Sequence, residues 1–500
     1  MTLFTDLSHA LVQHRTERAF WINGTFRTYA DLADALSRIR ARIREQVGES
    51  EKIIGLLAND DLETYASILA LWFEGKAYVP IAPGSPEDRN QRVIRSAGVA
   101  HLLSSTATTL QLADGMLIRT DGLPSAAEDL SVADCTDDAM AYMLFTSGTT
   151  GEPKGVPISN GNLAAFVEAF EQLDIPIGPQ DRCLQMFELT FDLSVMSYLM
   201  PLLHGACVYT VPNDEIKYAS IAEMLEDHEL TIALMVPSII NYLRPYFSEI
   251  NAPALKHGLF CGEALLEEVA LEWSRCVPNA RIMNVYGPTE HTIFCTHCTL
   301  SRTGPNKALH GVLSIGGPMA GSTIVVADEA GRILGNDASG ELCLAGPQLT
   351  SGYWNNEERT AAAFFTAEHG GVPVRFYRTG DHCRIDADGD ILYMGRLDQQ
   401  TKVQGYRVEL PEIEHHARAF LAGQNAVAVG VTNQLGNTEI ALLVESEKEI
   451  QTRDLIAHLR LKLPPYMVPT IVRCVPAFPL NSNGKTDRKA LREQIMQPAL

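Results

Sequence analysis

A loop rich in glycine and hydroxyl side chains lies in the first half of the sequence. Residues 144–155 read LFTSGTTGEPKG: an apolar start, then four hydroxyl side chains, three glycines and a lysine. Glycines let the backbone approach an anion closely, and N–H groups, hydroxyls and lysine all bind phosphate oxygens. The order differs from that of the common G-x-x-x-x-G-K-[ST] phosphate loop. The stretch therefore predicts a phosphate-binding loop of another type.

Six further stretches contain charged or polar side chains, and five of them also contain glycine. We interpret them as parts of one site, because loops at the carboxyl ends of strands bind ligands in open α/β sheets. Each stretch alone could be a turn, a helix cap or a solvated charge, but their joint occurrence in one chain favours a shared role. They are FDLSV (191–195), FCGEAL (260–265), NVYGPTEHT (284–292), YRTGDH (377–382), GRLDQQTKVQGYRVELPEIE (395–414) and NGKTDR (483–488).

Three kinds of pattern must position these stretches. Up to about residue 240, amphipathic segments such as 29–44 and 62–74 alternate with short apolar runs, which predicts a mostly parallel sheet covered on both faces. Residues 310–395 contain short β-branched runs separated by glycine, which predicts an antiparallel sheet or a small barrel. A mixed α+β pattern follows residue 400. The runs assigned to strands are 53–57, 77–81, 100–103, 143–145, 206–211, 323–327, 340–345 and 389–393.

Length, charge and cysteine spacing exclude several classes of protein. A chain of 500 residues needs more than one core, and its net charge of −21 argues against nucleic acid as a partner. Residues 401–500 hold 12 Lys and Arg against 10 Asp and Glu, so the acidic excess precedes residue 400 and predicts a boundary there. The ten cysteines form no disulfide pattern, and the first residues show no secretion signal. We therefore expect a cytoplasmic protein.

Two segments have an alternative interpretation. The uncharged stretch 193–213 has the length of a membrane span, but proline and glycine interrupt it, so we expect a buried helix, a turn and a strand. A zinc site is conceivable at four clustered residues, yet a second separated ligand pair is missing. Residues 292–300 alternate as in a strand, which is the interpretation that we prefer. The four residues are His291, Cys295, His297 and Cys298.

The combined motifs closely resemble those of the adenylate-forming enzymes, which include acyl-CoA synthetases, luciferases and amino-acid adenylation domains. The resemblance extends from TYADLA (28–33) to NGKTDRKAL (483–491). It implies ATP and Mg²⁺ as cofactors and attack of a carboxylate on the α-phosphate of ATP. It also implies a fold with two domains: an N-terminal adenylation domain (1–397) of βα sheets plus a small β-barrel, and a small mobile α+β C-terminal domain (398–500), with a hinge at Asp398.

The resemblance implies a role for each matched residue. Thr289 would contact the α-phosphate, Glu290 would bind Mg²⁺, and Lys485 would be the mobile catalytic lysine. Tyr286 would stack on adenine, and Asp381 would bind both ribose hydroxyls. The residues expected to bind nucleotide are Thr146, Ser147, Gly148, Thr149, Thr150, Gly151, Lys154, Gly262, Glu263, Asn284, Val285, Tyr286, Gly287, Pro288, Thr289, Asp381, Tyr393, Arg396 and Lys485.

Asp192 indicates which class of carboxylic acid serves as the substrate. Family members that activate α-amino acids keep an Asp here to pair with the substrate ammonium, and a buried carboxylate without a cationic partner is costly. A helix cap is the alternative role for this residue. The residues expected around the substrate are Asp192, Met196, Cys261, Val285, Ile293 and Lys485, with Leu193, Leu234, Leu259 and Phe294 completing an apolar floor. This pocket predicts a small neutral amino acid.

Three stretches resemble one group within this family, the D-alanine–D-alanyl carrier protein ligases. They are FDLSVM, FCGEAL and GYRVELPEIEHH. Cys261 matches their cysteine beside the D-alanine methyl group, whereas Ile293 replaces their usual valine. The resemblance implies activation of D-alanine and its transfer to the phosphopantetheine thiol of a separate carrier protein. An acidic carrier would dock on the less acidic tail, which carries Arg453, Arg460, Lys462 and Arg473.

Three other functions stay open. The first is a free-standing adenylation enzyme for a small L-amino acid, such as alanine, serine or proline, in nonribosomal peptide or secondary-metabolite biosynthesis. The second is an acyl-CoA synthetase, which Asp192 argues against. The third is a catalytically inactive nucleotide-binding protein, which would be expected to lack Lys485, Glu290 or Asp381; the sequence has all three.

Overall fold

The computed structural model describes residues 2–110, 112, 115–147, 152–212, 215–335, 337–480 and 486–496. Helices and strands alternate in its first half. The elements up to residue 243 are α1 (Leu3–Gln13), β1 (Arg18–Ile22), β2 (Thr25–Thr28), α2 (Tyr29–Gln46), β3 (Ile53–Leu57), α3 (Leu62–Phe73), β4 (Ala77–Ile81), α4 (Glu87–Ala97), β5 (His101–Ser104), β6 (Met116–Arg119), β7 (Met140–Thr146), β8 (Lys154–Ser159), α5 (Asn160–Glu171), β9 (Arg182–Gln185), α6 (Leu193–Leu203), β10 (Cys207–Thr210), α7 (Lys217–Glu226), β11 (Ile232–Met235) and α8 (Pro237–Leu243).

The second half is richer in strands. Its elements are β12 (His257–Phe260), α9 (Glu267–Cys276), β13 (Arg281–Tyr286), β14 (Thr296–Thr299), β15 (Ala308–Leu309), β16 (Val312–Leu313), β17 (Gly317–Pro318), β18 (Thr323–Ala327), β19 (Ser339–Ala345), α10 (Glu357–Ala363), β20 (Phe364–His369), β21 (Val372–Ile385), β22 (Ile391–Arg396), β23 (Gln400–Val403), β24 (Tyr406–Glu409), α11 (Leu410–Phe420), β25 (Ala426–Thr432), β26 (Thr438–Glu445), α12 (Thr452–Arg460), β27 (Ile471–Val475) and α13 (Arg488–Met496).

Two largely parallel sheets confirm the predicted α/β class. One has the strand order β17-β14-β13-β12-β11-β9-β10-β1-β2, in which the strands from β13 to β1 run parallel. The other has the order β6-β5-β3-β4-β7-β8, in which β8 alone is antiparallel to its neighbour. The helix α3 packs on α2, β3 and β4. Nearly all of its residues are buried, as expected for a helix covered by several elements.

Several predicted segments have the expected structure. The runs 53–57 and 77–81 form β3 and β4 with the predicted bounds, and the stretch 193–213 contains α6, a turn and β10. Among the residues that the structure describes, no helix is long and apolar enough to cross a membrane.

The segment from β18 to β22 forms an antiparallel sheet. Its strand order is β18-β19-β21-β20, and β22 pairs with β21. The interpretation of YRTGDH (377–382) as a loop was wrong, because these residues lie inside the 14-residue strand β21. Gly380 has a φ of +73°, which favours glycine, and it lies where the register with β19 shifts, between Arg378 and His382. Asp381 therefore projects from a strand.

The strand predicted over 292–300 begins later than expected. It is confined to Thr296–Thr299, because Thr292 and Ile293 adopt left-handed backbone conformations with φ values of +48° and +74°. These two residues turn the chain from a short 3₁₀ helix (Thr289–His291) toward β14. Among the described residues, no group of three or more His, Cys, Asp or Glu could hold a metal ion.

The residues after 400 pack around apolar clusters of their own. The hairpin β23–β24 leads into α11, and β25, β26 and β27 form a three-stranded sheet. Two clusters of buried side chains consist of residues drawn from 403–467 and from 427–495. This part is the small α+β unit predicted at the C-terminal end.

Candidate active site

Loops from both parallel sheets converge on one site. Ser147 follows β7 of the six-stranded sheet, whereas Cys261 follows β12 and Tyr286 ends β13 of the nine-stranded sheet. Each residue lies at the carboxyl end of its parallel strand, which is where open α/β sheets bind ligands. The hairpin β23–β24 enters the same site from the C-terminal part.

A small cavity lies at the centre of this site. Its free volume is about 40 Å³, and side chains from both parts of the chain surround it. Of the predicted substrate residues, Asp192, Cys261 and Ile293 lie on its wall, whereas Met196 and Val285 are buried but not on it. The wall consists of Phe191, Asp192, Leu193, Cys261, Gly262, Tyr286, Gly287, Pro288, Thr289, Ile293, Asp381, Arg396, Lys402, Gly405 and Arg407.

Asp192, which lies on the wall of this cavity, is a buried carboxylate. The residue is 3% exposed, and its Oδ2 atom has no hydrogen-bond partner within the described parts of the chain. Burial raises its pKa to about 7, although a hydrogen bond from Thr289 acts in the opposite direction. Asp192 precedes α6, yet its side chain makes no capping hydrogen bond there. The helix-cap interpretation was therefore wrong, and the site suits a cationic group on the ligand.

Tyr286, Asp381 and Arg396 form a hydrogen-bonded group at one side of the cavity. The Tyr286 hydroxyl donates to Oδ2 of Asp381 at 2.5 Å, and Arg396 Nη1 donates to Oδ1 at 2.9 Å. Lys402 Nζ lies 5.6 Å from the centroid of the Tyr286 ring. A second cavity of about 550 Å³ shares Tyr286, Arg396 and Lys402 with the first. Its wall also contains the predicted residues Glu263, Asn284 and Tyr393, whereas Asp381 lies on the wall of the first cavity and not of the second.

Glu290 is a fully buried carboxylate with cationic partners. Arg407 Nη1 lies 3.1 Å from Oε1 and 3.0 Å from Oε2, and the Tyr353 hydroxyl donates to Oε1 at 2.7 Å. Burial alone would raise the pKa of Glu290, but the charges of Arg407 and Lys154 and the Tyr353 hydrogen bond lower it to about 2. One such oxygen ligand fits Mg²⁺, which commonly takes one or two carboxylates together with substrate phosphates.

The described part of the predicted phosphate loop contacts the hairpin. Ser147 Oγ donates to the carbonyl of Arg407 at 2.8 Å and accepts from the Glu409 amide at 3.2 Å. Lys154 Nζ donates to Oε1 of Glu409 at 3.2 Å. Burial lowers the pKa of Lys154, and Thr146 Oγ1 is buried without a partner among the described residues. Gly148, Thr149, Thr150, Gly151 and Lys485 lie outside the described residues.

Two glycines allow the hairpin to approach the N-terminal part. Gly262 has a φ of +90°, and a Cβ atom added to it would lie 3.3 Å from the Cα atom of Gly405. Gly405 has a φ of +83°, and its amide donates to Glu263 Oε1 at 3.1 Å. Glu263 Oε2 also accepts from the amide of Ser238 at 2.9 Å. Glu263 therefore anchors the tip of the hairpin in this structure.

The side chain of Asn284 contacts backbone carbonyl groups. Its Nδ2 donates to the carbonyls of Leu313 and Ser314. These bonds tie β13 to the segment that follows β15.

Sequence reasoning gave no role to several residues of the site. Lys402 and Arg407 belong to the stretch 395–414, but no role was predicted for either of them. Tyr353 follows β19, in a stretch that reads SGYWNN. The patterns around these residues give no sign that they meet Tyr286 and Glu290, since the contacts with Glu290 join segments more than 60 residues apart.

Comparisons with known proteins agree with the geometry. Residues 7–354 match the model of the AMP-binding enzyme family, and residues 412–485 match that of the AMP-binding enzyme C-terminal domain. The chain belongs to the AMP-binding enzyme family. Its members form acyl-adenylates, as the sequence motifs indicated.

Individual relatives of this AMP-binding enzyme fall into two groups. It is 32% identical over 496 residues to the D-alanine–D-alanyl carrier protein ligase of Lactiplantibacillus plantarum, covering 95% of each chain. It is also 31% identical over 512 residues to tyrocidine synthase 3 of Brevibacillus parabrevis, covering 98% of this chain. The chain spans only 8% to 13% of the length of this synthase and similar large ones.

A solved structure confirms the fold. The Vibrio cholerae adenylation domain AlmE, in complex with glycyl-adenosine-5′-phosphate, superposes with a TM-score of 0.86 and 25% sequence identity. The match covers 99% of this chain and 97% of that one. The arrangement of two parallel sheets, an antiparallel sheet and a small C-terminal unit is therefore that of an adenylation domain.

Proposed function

We propose that this AMP-binding enzyme activates a small neutral amino acid as its aminoacyl-AMP, with ATP as co-substrate. The observation that carries the proposal is the buried Oδ2 atom of Asp192, which has no partner in the described chain, in a residue on the wall of a cavity of about 40 Å³. An ammonium group would satisfy this carboxylate, and the small cavity favours a short side chain. A fatty or aryl acid offers no cation at this position.

Each residue of the proposed site would have its own part in adenylation. Asp192 would hold the ammonium group, so that the substrate carboxylate points toward Thr289 and the α-phosphate. Tyr286 and Asp381 would bind adenine and ribose. Mg²⁺ at Glu290 would neutralise phosphate charge, and Lys485 would stabilise the charge that develops in the transition state. Together these groups offset the repulsion between two anionic reactants.

We further propose D-alanine as the substrate and a carrier-protein thiol as the acceptor. The near full-length similarity to D-alanine–D-alanyl carrier protein ligases supports both assignments. Cys261 lies on the cavity wall together with Asp192 and Ile293, where the resemblance puts the alanine methyl group. The N-terminal domain would span residues 1–397 and the C-terminal domain 398–500, with movement about Asp398.

An enzyme for a small L-amino acid in peptide biosynthesis is the second candidate. The similarity to gramicidin and tyrocidine synthases favours it. It uses the same chemistry and the same residues, so the two candidates differ in the identity and enantiomer of the amino acid.

Amino-acid-dependent exchange of labelled pyrophosphate into ATP tests these proposals. The panel comprises D-Ala, L-Ala, Gly, D-Ser, L-Ser and L-Pro. Exchange with D-Ala alone supports the ligase assignment, and preference for an L-amino acid supports the second candidate. Absence of exchange with every amino acid would contradict the role of Asp192. Coenzyme A as an alternative acceptor then tests the acyl-CoA synthetase function.

A further inference from the structure

Two consecutive residues beside the small cavity have an unusual backbone conformation. Thr292 and Ile293 have φ values of +48° and +74°, in the left-handed region that β-branched residues rarely adopt. Both residues are buried, and Ile293 lies on the cavity wall together with Asp192. A strained conformation of this kind persists only where the surrounding structure holds it in place, and such conformations cluster at functional sites.

The side chain of Gln348 holds this turn. Gln348 follows β19 and is 1% exposed. Its Nε2 donates to the carbonyl oxygens of His291, Thr292 and Phe294 at 3.4, 3.1 and 3.0 Å. The Thr292 hydroxyl in turn donates to the backbone carbonyl of Gln348 at 2.5 Å. The two N–H groups of one side-chain amide are therefore shared among three carbonyls of the turn.

The segment that carries Gln348 is itself held in place. Asn162 lies in the first turn of α5, and its Nδ2 donates to the carbonyls of Pro347 and Leu349 at 2.7 and 3.0 Å. These are the residues directly before and after Gln348. The amide of Gln348 therefore has a fixed position from which it can determine the shape of the turn.

The residue that follows the turn is also fixed. A Cβ atom added to Gly287 would clash with the Cα atom of Phe294, so the two backbones are in close contact. The ring of Phe294 packs edge-on against that of Phe166, with 5.1 Å between their centroids. Because Phe294 cannot shift easily, a relaxed turn would change the position of Ile293 instead.

We propose that Gln348 is a positioning residue for substrate selection: its amide holds Thr292 and Ile293 in the left-handed conformation, so that the Ile293 side chain limits the length of the substrate side chain. This inference rests on the proposed function, in which a small amino acid binds with its ammonium group at Asp192. Gln348 is not on the described cavity wall, so it acts on the substrate through Ile293.

Selection between amino acids that differ by one carbon tests the proposal on the full-length protein. Gln348→Met approximately keeps the size of the side chain but removes its hydrogen-bond donors. A pocket discriminates one methylene by about 10- to 200-fold. We therefore expect this variant to reduce the kcat/KM ratio between the preferred amino acid and its homologue with one more carbon by about tenfold or more, with an unchanged KM for ATP.

Gln348→Glu is a milder second variant. It keeps the shape of the side chain, and burial favours the protonated carboxyl, which retains one donor. Its kcat/KM ratio should therefore lie between those of the wild type and Gln348→Met. A wild-type ratio in either variant would overturn the proposal.

Ile293→Ala shows whether the effect of Gln348 passes through Ile293. This variant should itself reduce the ratio, because it shortens the side chain on the cavity wall. Adding Gln348→Met to it should cause no further reduction, since the side chain that Gln348 positions is already absent. Additive reductions would mean that Gln348 acts independently of Ile293, which would overturn the proposal.

Arg302→Met is the matched control. Arg302 also donates to three backbone carbonyls, those of Ser274, Val277 and Ala280, and none of these residues lies on the described cavity wall. The variant should lose stability in urea unfolding but retain the wild-type kcat/KM ratio. A reduced ratio like that of Gln348→Met would mean that destabilisation alone explains the effect.

A crystal structure of Gln348→Met without substrate tests the positioning role separately from the proposed function. We expect Thr292 or Ile293 to have a negative φ in this variant, because the donor that holds the turn is absent. Two positive φ values would overturn the role of Gln348. Absence of pyrophosphate exchange by the wild type with every amino acid would contradict the proposed function instead, and this structural comparison does not depend on that assay.

Discussion

Replacement of Asp192 by asparagine should abolish amino-acid activation and stabilise the fold at alkaline pH. Asparagine preserves the size of the side chain but cannot form an ion pair with an ammonium group. Loss of one partner from a buried ion pair costs about 3 kcal/mol or more, which corresponds to a factor of at least about 10² in kcat/KM. Asp381 is the other carboxylate on the described cavity wall, and it cannot compensate because both of its oxygens have partners.

The stability effect follows from the raised pKa of Asp192. The folded value is about 7, above the unfolded value of about 3.9, so the folded state binds the proton more tightly. The stability that this carboxyl contributes is fully present below pH ~4 and is lost as the pH rises through ~7. Asp192→Asn should therefore be more stable than the wild type at pH 8, by at most about 4 kcal/mol, and the difference should shrink toward pH 4.

Pyrophosphate exchange and urea unfolding at pH 5 and pH 8 provide the two assays. Asp181→Asn is the control, because the Asp181 carboxylate is also buried but has Lys256 and Thr231 as partners at 2.7 and 2.8 Å. This control should lose stability at pH 8 and retain exchange activity. Undiminished exchange by Asp192→Asn would refute the ammonium contact, and lower stability at pH 8 would refute the argument from burial.

Three further predictions concern other residues of the proposed function. Lys485→Ala should lose pyrophosphate exchange, because the contacts of this lysine matter mainly in the transition state. Calorimetry should show nearly normal ATP binding. Near-normal exchange would contradict the catalytic role of Lys485. Cys261→Ala should reduce the ratio of D-alanine to L-alanine activation by roughly tenfold, or ~1–3 kcal/mol, and an unaltered ratio would mean that the alanine methyl group lies elsewhere. The double variant Arg453→Glu, Arg460→Glu should load an acidic carrier protein more slowly than the wild type, with a larger difference at low salt, and should retain pyrophosphate exchange. Loading at the wild-type rate would show that the carrier protein docks elsewhere. Lys462 is left unchanged because it pairs with Asp88 at 2.6 Å.

The parallel sheets were predictable because their strands are short apolar runs with clear boundaries. The strands β3 and β4 have the predicted bounds, since polar or turn-forming residues flank both runs. The strand β21 was not predictable in the same way. Its Pro373 and Gly380 are turn signals, and a shifted register accommodates the glycine inside the sheet. Pairing of β21 with β19, β20 and β22 thus outweighed the turn-forming tendency of these two residues.

The role of a residue in the candidate site was predictable where the type of that residue alone indicates what it binds. Asp192 lies in the apolar sequence stretch FDLSVM, and a carboxylate in such a stretch predicts a cationic partner. The partners of Glu290 were not predictable, because Tyr353 and Arg407 reach it from distant segments. Only the folded chain shows that Glu290, the proposed metal ligand, and the hairpin residue Arg407 meet.

The distribution of satisfied and unsatisfied charges indicates which step of the reaction this arrangement suits. The hairpin provides Glu290 and Lys154 with partners of opposite charge, so the phosphate side of the site is neutralised by the protein itself. The amino-acid side is not, because Oδ2 of Asp192 has no partner among the described residues. On the proposed function, the ligand that completes this arrangement has an ammonium group but no pyrophosphate. An aminoacyl-adenylate meets both conditions, so the docked hairpin is complementary to the intermediate that awaits the carrier thiol.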